Sequence, residues 1–443
     1  MKDYKKAAQE GSERELRKEL LERLDCVGSN HMTIDEHLAL CYMFGAHNYK
    51  PLENVFKKSS GIWVWDKNGK KYIDCLSAYS ACNAGHRNWR IILPLVKQLL
   101  FGTDTLSRAF VHAEEGPFEA ELARFCGKDK VLVKNAGVES YETAIKAARR
   151  WGYWKKHLKT GGKPITKDKA EIIVANNNFH GRTLAALSAS TEEKYKEGFG
   201  PFGPGFVPVP FGDAFALIKA INENTVAVLI EPIQGEAGVI IPPAGYLQAV
   251  RNICDVNNLL MIADEIQVGL GRTGKKFACD WENVVPDIYI IGKALGGNVI
   301  PVSAIAANND IMDLFDPGSD GSTFGLNPLA CVAGRAYLRT FEKLHLAENS
   351  EEVGNYFMTE LRKIKSPYVK EIRGRGLLIG VELNVRARPS CEALMEGKPY
   401  GLLCKETHDA DTGGVIRFAP PLLLTKKQTD KYLLPPIKKV LEA

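Results

Sequence analysis

The chain has 443 residues, 45% of them hydrophobic and 25% charged, with a formal net charge of +5. Such a composition suits a globular protein with a large core, and the length suits about two to three domains. Lys and Arg form no cluster that would track phosphates, and no apolar run nears the roughly 20 residues of a membrane helix, so neither nucleic acid nor a membrane is expected as a partner. The ten cysteines are scattered, with no CxxC pair. That argues against a zinc ribbon or a thioredoxin motif, and for reduced, mostly buried thiols in a cytoplasmic protein. The opening MKDYKKAAQEGSERELRKELLERLD lacks the apolar segment of a secretory signal and is too acidic for a typical transit peptide.

Within an N-terminal extension (residues 1–30), Ser12 and Glu15 fit a capping box for a helix over 12–25. Leu16, Leu20 and Leu24 line one face of it, which predicts a surface helix docked by a single stripe. From residue 61, GIWVWDKNGKKYIDC predicts a β-hairpin that turns at Lys67-Asn68-Gly69. Strand candidates follow at 131–133, 171–175, 206–209, 226–230, 259–263, 287–291 and 301–306, with helices at 138–156, 213–222 and 244–257 among them. This alternation predicts an α/β domain on a mostly parallel seven-stranded sheet covered on both faces. A helix over 326–345 leads to a last region, with one strand in EIRGRGLLIGVEL and another in VIRFAPPLLLT. The expected organisation is a large domain over 81–330 and a smaller α+β domain from both chain ends, 31–80 and 331–443. There is no internal repeat and no low-complexity tract.

In DIYIIGKALGGN (287–298) a lysine, Lys293, stands at the mouth of a strand among glycines. A lysine there ordinarily snorkels to water, but a desolvated one becomes reactive. Ligands of an α/β sheet bind at the carboxyl ends of its strands. Asp264 ends the run 259–263, Phe179 and Arg182 follow 171–175, Glu231 and Glu236 follow 226–230, and Ala136-Gly137 lead from 131–133 into a helix. Each alone has a plain structural explanation as a cap, a turn or a surface charge. Together they match the needs of pyridoxal phosphate chemistry. A lysine amine forms a Schiff base with the cofactor aldehyde and can later shuttle a proton, and a carboxylate keeps the ring nitrogen protonated. An aromatic stacks on the ring, a helix N-terminus holds the phosphate, and arginines hold substrate carboxylates. Gly269, Gly271 and Gly274 in GLGRTG fit a dinucleotide fingerprint, but no strand leads directly into them and KKFACDWENV beyond is a poor helix. His180 has no second histidine at ligand spacing, so no metal site is expected and His180 reads as a supporting or packing residue.

FGAHNYKPL, SAYSACNAGH, NNFHGRT, EPIQGEAGV, ADEIQVGLGRTG, GKALGG, GSTFGLNPLA and VIRFAPPL occur in this order. Through them the chain resembles the class III aminotransferases, fold-type I pyridoxal phosphate enzymes, over about residues 44–443, and within them the branch that acts on ornithine. The resemblance implies that Lys293 is the Schiff-base lysine and that Asp264 partners the pyridine nitrogen. It puts Phe179 and Ile266 on the two ring faces, Gln267 beside the ring hydroxyl, and the N–H groups of Gly137 and Val138 on the phosphate. Ser322 and Thr323 would reach the phosphate of a neighbouring subunit, which implies a homodimer with sites at the interface.

On the substrate side the resemblance implies that Tyr49 and Tyr79 line the ornithine pocket, with Glu231 nearby. Arg182 would hold the α-carboxylate of ornithine, then the side-chain carboxylate of glutamate or 2-oxoglutarate. Arg417 would hold the α-carboxylate of glutamate, and Glu236 would pair with it while ornithine is bound. An unpaired buried arginine would capture the wrong carboxylate, whereas a neutralised one leaves the δ-amine to react. The implied reaction moves the δ-amino group of L-ornithine to 2-oxoglutarate, giving glutamate and glutamate 5-semialdehyde, which cyclises to pyrroline-5-carboxylate. Acetylornithine, 4-aminobutyrate or lysine as amino donor, a pyridoxal phosphate epimerase or decarboxylase, and a non-catalytic homologue that binds the cofactor stand as alternatives. The chain departs from the family pattern at Ala136 (usually Thr or Ser), Asn88-Trp89 (His-Pro), Asn298 and Leu326 (Gly), and Asp320 (often His). These departures bear on cofactor affinity and on the subunit-facing loop.

Overall fold

The computed structural model describes residues 13–161, 163–410 and 413–443. The first helix spans Glu13–Val27; Ser12, its expected cap, lies outside the described residues. Leu20 is buried against Met32, Ala39 and Met43 of the following segment, with Leu16 and Leu24 packed beside them. The expected single stripe is therefore the docking face.

Three strands follow: β1 (Phe56–Ser60), β2 (Trp63–Asp66) and β3 (Lys71–Asp74). β2 and β3 form the expected hairpin, with Gly69 at φ 86° in its turn and Asp66 Oδ1 accepting the Lys70 N–H at 2.9 Å. β1, which pairs antiparallel with β2, had no signal in the sequence, because FKKSS does not alternate apolar with polar residues.

The large sheet comprises β4 (Lys130–Lys134), β5 (Glu171–Ala175), β6 (Phe206–Val209), β7 (Thr225–Ile230), β8 (Leu260–Asp264), β9 (Ile288–Ile291) and β10 (Ser303–Ala307). Their order is β4-β10-β9-β8-β7-β5-β6. All pairings are parallel except those of β10, which runs against both β4 and β9. These strands coincide with the seven expected ones. β7 and β9 are buried at every position, as continuous β-branched runs between two helical layers require. One layer is built on the helix Gly137–Trp151, which turns Tyr141, Ala144, Ala148 and Trp151 inward. The other rests on Tyr246–Val256, burying Tyr246, Leu247, Val250 and Cys254. The helix expected over 138–156 is α-helical only to Trp151 and continues as a π-helical turn over Gly152–Lys156. A Cβ on Gly152 would stand 2.1 Å from Val226 Cγ1, so only glycine lets the helix cross β7 there.

The C-terminal part is richer in strands than expected. EIRGRGLLIGVEL holds two, β11 (Val369–Arg375) and β12 (Leu378–Leu383), which turn at Gly376 with φ 53°. β13 (Tyr400–Leu403) and β14 (Lys405–Ala410) were not foreseen, and β15 (Gly413–Phe418) carries VIRF. β13 joins the N-terminal sheet parallel to β3, so both chain ends build the smaller region. The second small sheet runs β11-β12-β15-β14. Among the described residues no helix is long and apolar enough to cross a membrane.

GLGRTG joins the two regions rather than binding a nucleotide. Gly271 and Gly274 have φ near 90°, and no helix starts there. Arg272 is wholly buried, and donates to the Leu377 and Pro420 carbonyls (2.8 and 2.6 Å) and to Asn83 Oδ1 (2.6 Å). It thereby stitches the small-region strands to the segment after β8.

Candidate active site

Four parallel strands, β5, β7, β8 and β9, end at the same sheet edge and deliver Phe179, Glu231, Asp264 and Lys293. β9 stops at Ile291, and Gly292 lets the backbone turn where a Cβ would meet Ser303 at 3.3 Å and Ile266 at 3.6 Å. Lys293 then takes φ 45°, a left-handed conformation unusual for a long side chain. Burial of its amine pulls the Lys293 pKa down, and the carboxylates of Glu236 and Asp264 only partly offset this. A lysine with its pKa lowered by burial is more readily a free amine, the form that can act as a nucleophile and a proton carrier.

Asp264, 4% exposed, is held by two bonds. His180 Nδ1 lies 2.6 Å from Oδ2, and the Ile266 N–H reaches Oδ1 at 3.1 Å. His180 stacks on Tyr141 with ring centroids 4.8 Å apart, which fixes the imidazole plane. The residue read as supporting or packing is thus the one that orients the strand-end carboxylate. Glu231 accepts the Phe179 N–H at 3.0 Å and holds the turn after β5. Burial, reinforced by Asp264 and opposed by His180, pushes the Glu231 carboxyl up to about 7.

At the end of β4, Glu139 Oε2 accepts the N–H groups of Asn135 (2.8 Å) and Ala136 (3.2 Å). The N–H groups of Gly137 and Val138, in the first turn of a 15-residue helix, have no intrahelical acceptor. Ser303 Oγ, accepting from Ser140 Oγ (2.7 Å) and donating to the Ala136 carbonyl (2.8 Å), locks this turn onto β10. Gly137 lets Ile266 pack against the turn, since a Cβ there would stand 2.8 Å from Ile266 Cδ1.

On the small-region side, Arg417 of β15 is 2% exposed and its Nη1 donates to Glu236 Oε1 at 2.6 Å. Gln267 Nε2 donates to the same oxygen at 3.1 Å. Burial alone would raise the Glu236 carboxyl, but the Arg417 charge and these bonds outweigh it and hold it below the usual carboxylate range. The Arg417 guanidinium lies 4.9 Å from the Tyr79 ring centroid. Tyr79 belongs to four consecutive left-handed residues, Ser77 to Ser80, with φ between 45° and 79°. Such a turn costs roughly 1–2 kcal/mol per residue, and Asp74 supports it by accepting the N–H groups of Leu76 and Ser77. Asp74, Cys82 and His86 lie close enough to ligate a cation, but the Asp74 oxygens are engaged by Leu76, Ser77 and His86.

Arg182 is exposed, with its guanidinium 4.0 Å from the Tyr195 ring centroid and 5.7 Å from that of Phe179. Tyr49 is 73% exposed and Thr323 is exposed; among the described residues no hydrogen bond or ring contact ties either to the cluster. Ser322 bonds Asn135 Nδ2 at 2.9 Å, beside the helix start. Sequence reasoning missed Tyr195 and Lys405, whose Nζ lies 3.4 Å from Tyr79 Oη. TEEKYKEGFG carries no signal for the first, and β14 had not been foreseen for the second.

These groups fit pyridoxal phosphate. Gln267 Oε1 and His180 Nε2 are buried with no partner among the described residues. A Cβ on Gly235 would stand 1.4 Å from Gln267 Oε1, so the backbone there leaves that oxygen its place. A free amine, an oriented carboxylate and unpaired helix N–H groups meet the aldehyde, ring nitrogen and phosphate of that group in kind.

The model of the aminotransferase class-III family matches residues 44–441. An ornithine aminotransferase of a Geobacillus species is 56% identical over 405 residues, 91% of this chain and 98% of that one. Ornithine aminotransferase 2 of Staphylococcus aureus is 55% identical over 390 residues, 88% and 95% of the two chains. Among solved structures, the ornithine aminotransferase of Toxoplasma gondii has a TM-score of 0.87 at 38% identity, covering 93% of this chain and 95% of that one. The acetylornithine aminotransferase of Elizabethkingia anophelis has a TM-score of 0.80 at 40% identity, covering 93% and 99%. The chain belongs to the class III aminotransferases.

Proposed function

We propose that this class III aminotransferase is a pyridoxal phosphate-dependent ornithine δ-aminotransferase. It takes the δ-amino group of L-ornithine to 2-oxoglutarate, yielding glutamate and glutamate 5-semialdehyde, which cyclises to pyrroline-5-carboxylate. The observation that carries this reading is the Arg417–Glu236 pair at 2.6 Å. It masks a buried cation that would otherwise take the α-carboxylate and present the α-amine. The ornithine aminotransferases at 55–56% identity support it.

When bound, the cofactor supplies an electron sink for the carbon that loses its proton. Lys293 is the catalytic residue: its amine holds the cofactor and moves the proton at the reacting carbon. Asp264, oriented by His180, holds the proton on the ring nitrogen. Phe179 and Ile266 confine the ring, Gln267 meets its hydroxyl, and Gly137 and Val138 donate to the phosphate. Arg182 takes the carboxylate farthest from the reacting amine, alongside Tyr49 and Tyr79. Glu236 leaves Arg417 when a dicarboxylate arrives. Glu231 fixes the Phe179 backbone and so the aromatic wall.

The working form is a homodimer in which Ser322 and Thr323 act at the neighbouring subunit's phosphate. The exposed Tyr49, Thr323 and Phe324, together with the apolar Leu99, Leu100 and Phe101, support it, since patches of this kind mark interfaces. Ten free cysteines, eight of them buried, support a cytoplasmic setting.

The second reading is an N-acetylornithine donor, favoured by the acetylornithine aminotransferase of similar fold. The visible spectrum separates the two. A cofactor band that bleaches with L-ornithine alone and returns with 2-oxoglutarate supports the proposal. A band that responds to N-acetylornithine and ignores ornithine replaces it, and no band after cofactor addition favours a non-catalytic chain.

A further inference from the structure

Asp320, one of the departures from the family pattern, is the centre of a three-membered charge cluster. Its Oδ1 meets the ammonium of Lys134, and its Oδ2 accepts from Lys146 at 2.9 Å. The Lys134 and Asp320 side chains are 5% and 7% exposed; that of Lys146 is 51% exposed. Both lysines also donate to the backbone on either side of Asp320. Lys134 reaches the Gly321 carbonyl at 2.9 Å, and Lys146 the Ser319 carbonyl at 3.0 Å.

Two ammonium groups therefore grip one turn at three points, the carboxylate and its two flanking carbonyls. Lys134 is the last residue of β4, three ahead of Gly137, and Lys146 lies on the helix that Gly137 opens. The next residues are seated on the same junction. Ser322 Oγ takes the Asn135 amide at 2.9 Å and the Gly325 N–H at 2.9 Å. Gly325 passes so close that a Cβ would stand 2.9 Å from the Val133 carbonyl.

We propose that the Lys134–Asp320–Lys146 cluster is a positioning device for the Ser322–Thr323 loop, setting the grip of that loop on the cofactor phosphate of the neighbouring subunit. The inference rests on the pyridoxal phosphate reading above. The device is the geometry of the ion pairs and not their net charge: without the carboxylate the two ammonium groups lose the charged point by which both hold the turn that carries Ser322. None of the cluster's hydrogen bonds reaches Lys293, Asp264, Phe179 or Arg417, so its effect belongs to phosphate affinity.

The test compares pyridoxal phosphate with pyridoxal, which lacks the phosphate, on apo-protein reconstituted in solution and followed by cofactor absorbance. Asp320→Asn is expected to weaken pyridoxal phosphate about tenfold while pyridoxal shifts by less than about twofold, the pattern of a lost charge-assisted anchor acting at one group. Equal or tighter pyridoxal phosphate binding in the variant overturns the proposal, and so does a parallel loss of both ligands, which would mark general loosening. Lys146→Met, at a half-exposed position, serves if Asp320→Asn fails to fold; it should show a smaller loss, about threefold, again confined to the phosphorylated ligand. No selective loss there overturns the proposal equally. A wild-type protein that binds no pyridoxal phosphate overturns the functional reading and the cluster's role with it. A wild type that binds it no better than Asp320→Asn overturns the cluster alone.

Discussion

Replacing Glu236 by glutamine unmasks Arg417 with little change of volume. The variant keeps an Oε1 acceptor for Gln267 Nε2 and removes the charge that neutralises the guanidinium. Arg417 is 2% exposed at its side chain and Glu236 27%, so the pair is buried on one side and partly wet on the other. Breaking a fully buried pair costs about 3–5 kcal/mol, and the partial exposure of Glu236 brings the loss toward the lower end. Part of it, about 2 kcal/mol, becomes available to an incoming α-carboxylate that restores a partner, and this corresponds to roughly a 30-fold shift in preference. Single-turnover spectra of the loaded protein with L-ornithine and with L-glutamate read this directly. The ratio of kcat/KM for glutamate over ornithine should rise about 30-fold, with part of the ornithine reacting at its α-amine. A ratio within about twofold of wild type would refute the masking argument, since Arg417 would then be no more available without its carboxylate than with it.

Lys293→Ala should abolish turnover, with a loss of at least about 10³-fold, while near-ultraviolet circular dichroism stays native; residual activity within tenfold of wild type would remove Lys293 from the chemistry. Arg272→Met leaves Asn83 Oδ1 and the carbonyls of Leu377 and Pro420 without their buried donor, and should destabilise by about 3 kcal/mol in urea unfolding. A change below about 0.5 kcal/mol would show that the segment after β8 does not need this stitch. Glu231, raised by burial to about 7 from 4.5, favours the protonated form in the folded state. Its contribution is fully present below pH 4.5 and is lost as pH rises through 7, about 3 kcal/mol in all. Glu231→Gln should therefore flatten the stability profile between pH 5 and 8; a profile that keeps its wild-type slope would place the titration elsewhere, with buried Glu265, also raised to about 7, the next group to replace.

The inner strands of the large sheet were legible because they are runs rich in Val, Ile, Leu and Ala buried on both faces, as in TVAVLI and LMIAD, while the edge strands β4 and β6 are short and only partly buried. A sheet between two helical layers leaves no alternation to confuse. β1 and β14 were not legible for the opposite reason: FKKSS and KETHDA are polar edge strands, formed because partners elsewhere in the chain offer unpaired backbone; β13 (YGLL) is too short to show a period by itself. The site residues at strand ends followed from position and residue type alone. Lys293, Asp264, Phe179 and Glu231 each stand within a few residues of a readable strand terminus.

By itself, the sequence determined the sheet, the edge on which chemistry sits, and the family, since periodicity and short motifs are local and survive in one dimension. The tertiary structure alone decided which groups act on one another. That His180 orients Asp264, that Arg417 meets Glu236 across two sheets, that Arg272 stitches three distant segments and that Asp320 gathers two lysines are all contacts between residues 84 to 189 positions apart. Charges pair through space according to distance and burial. Neither quantity exists until the chain has folded.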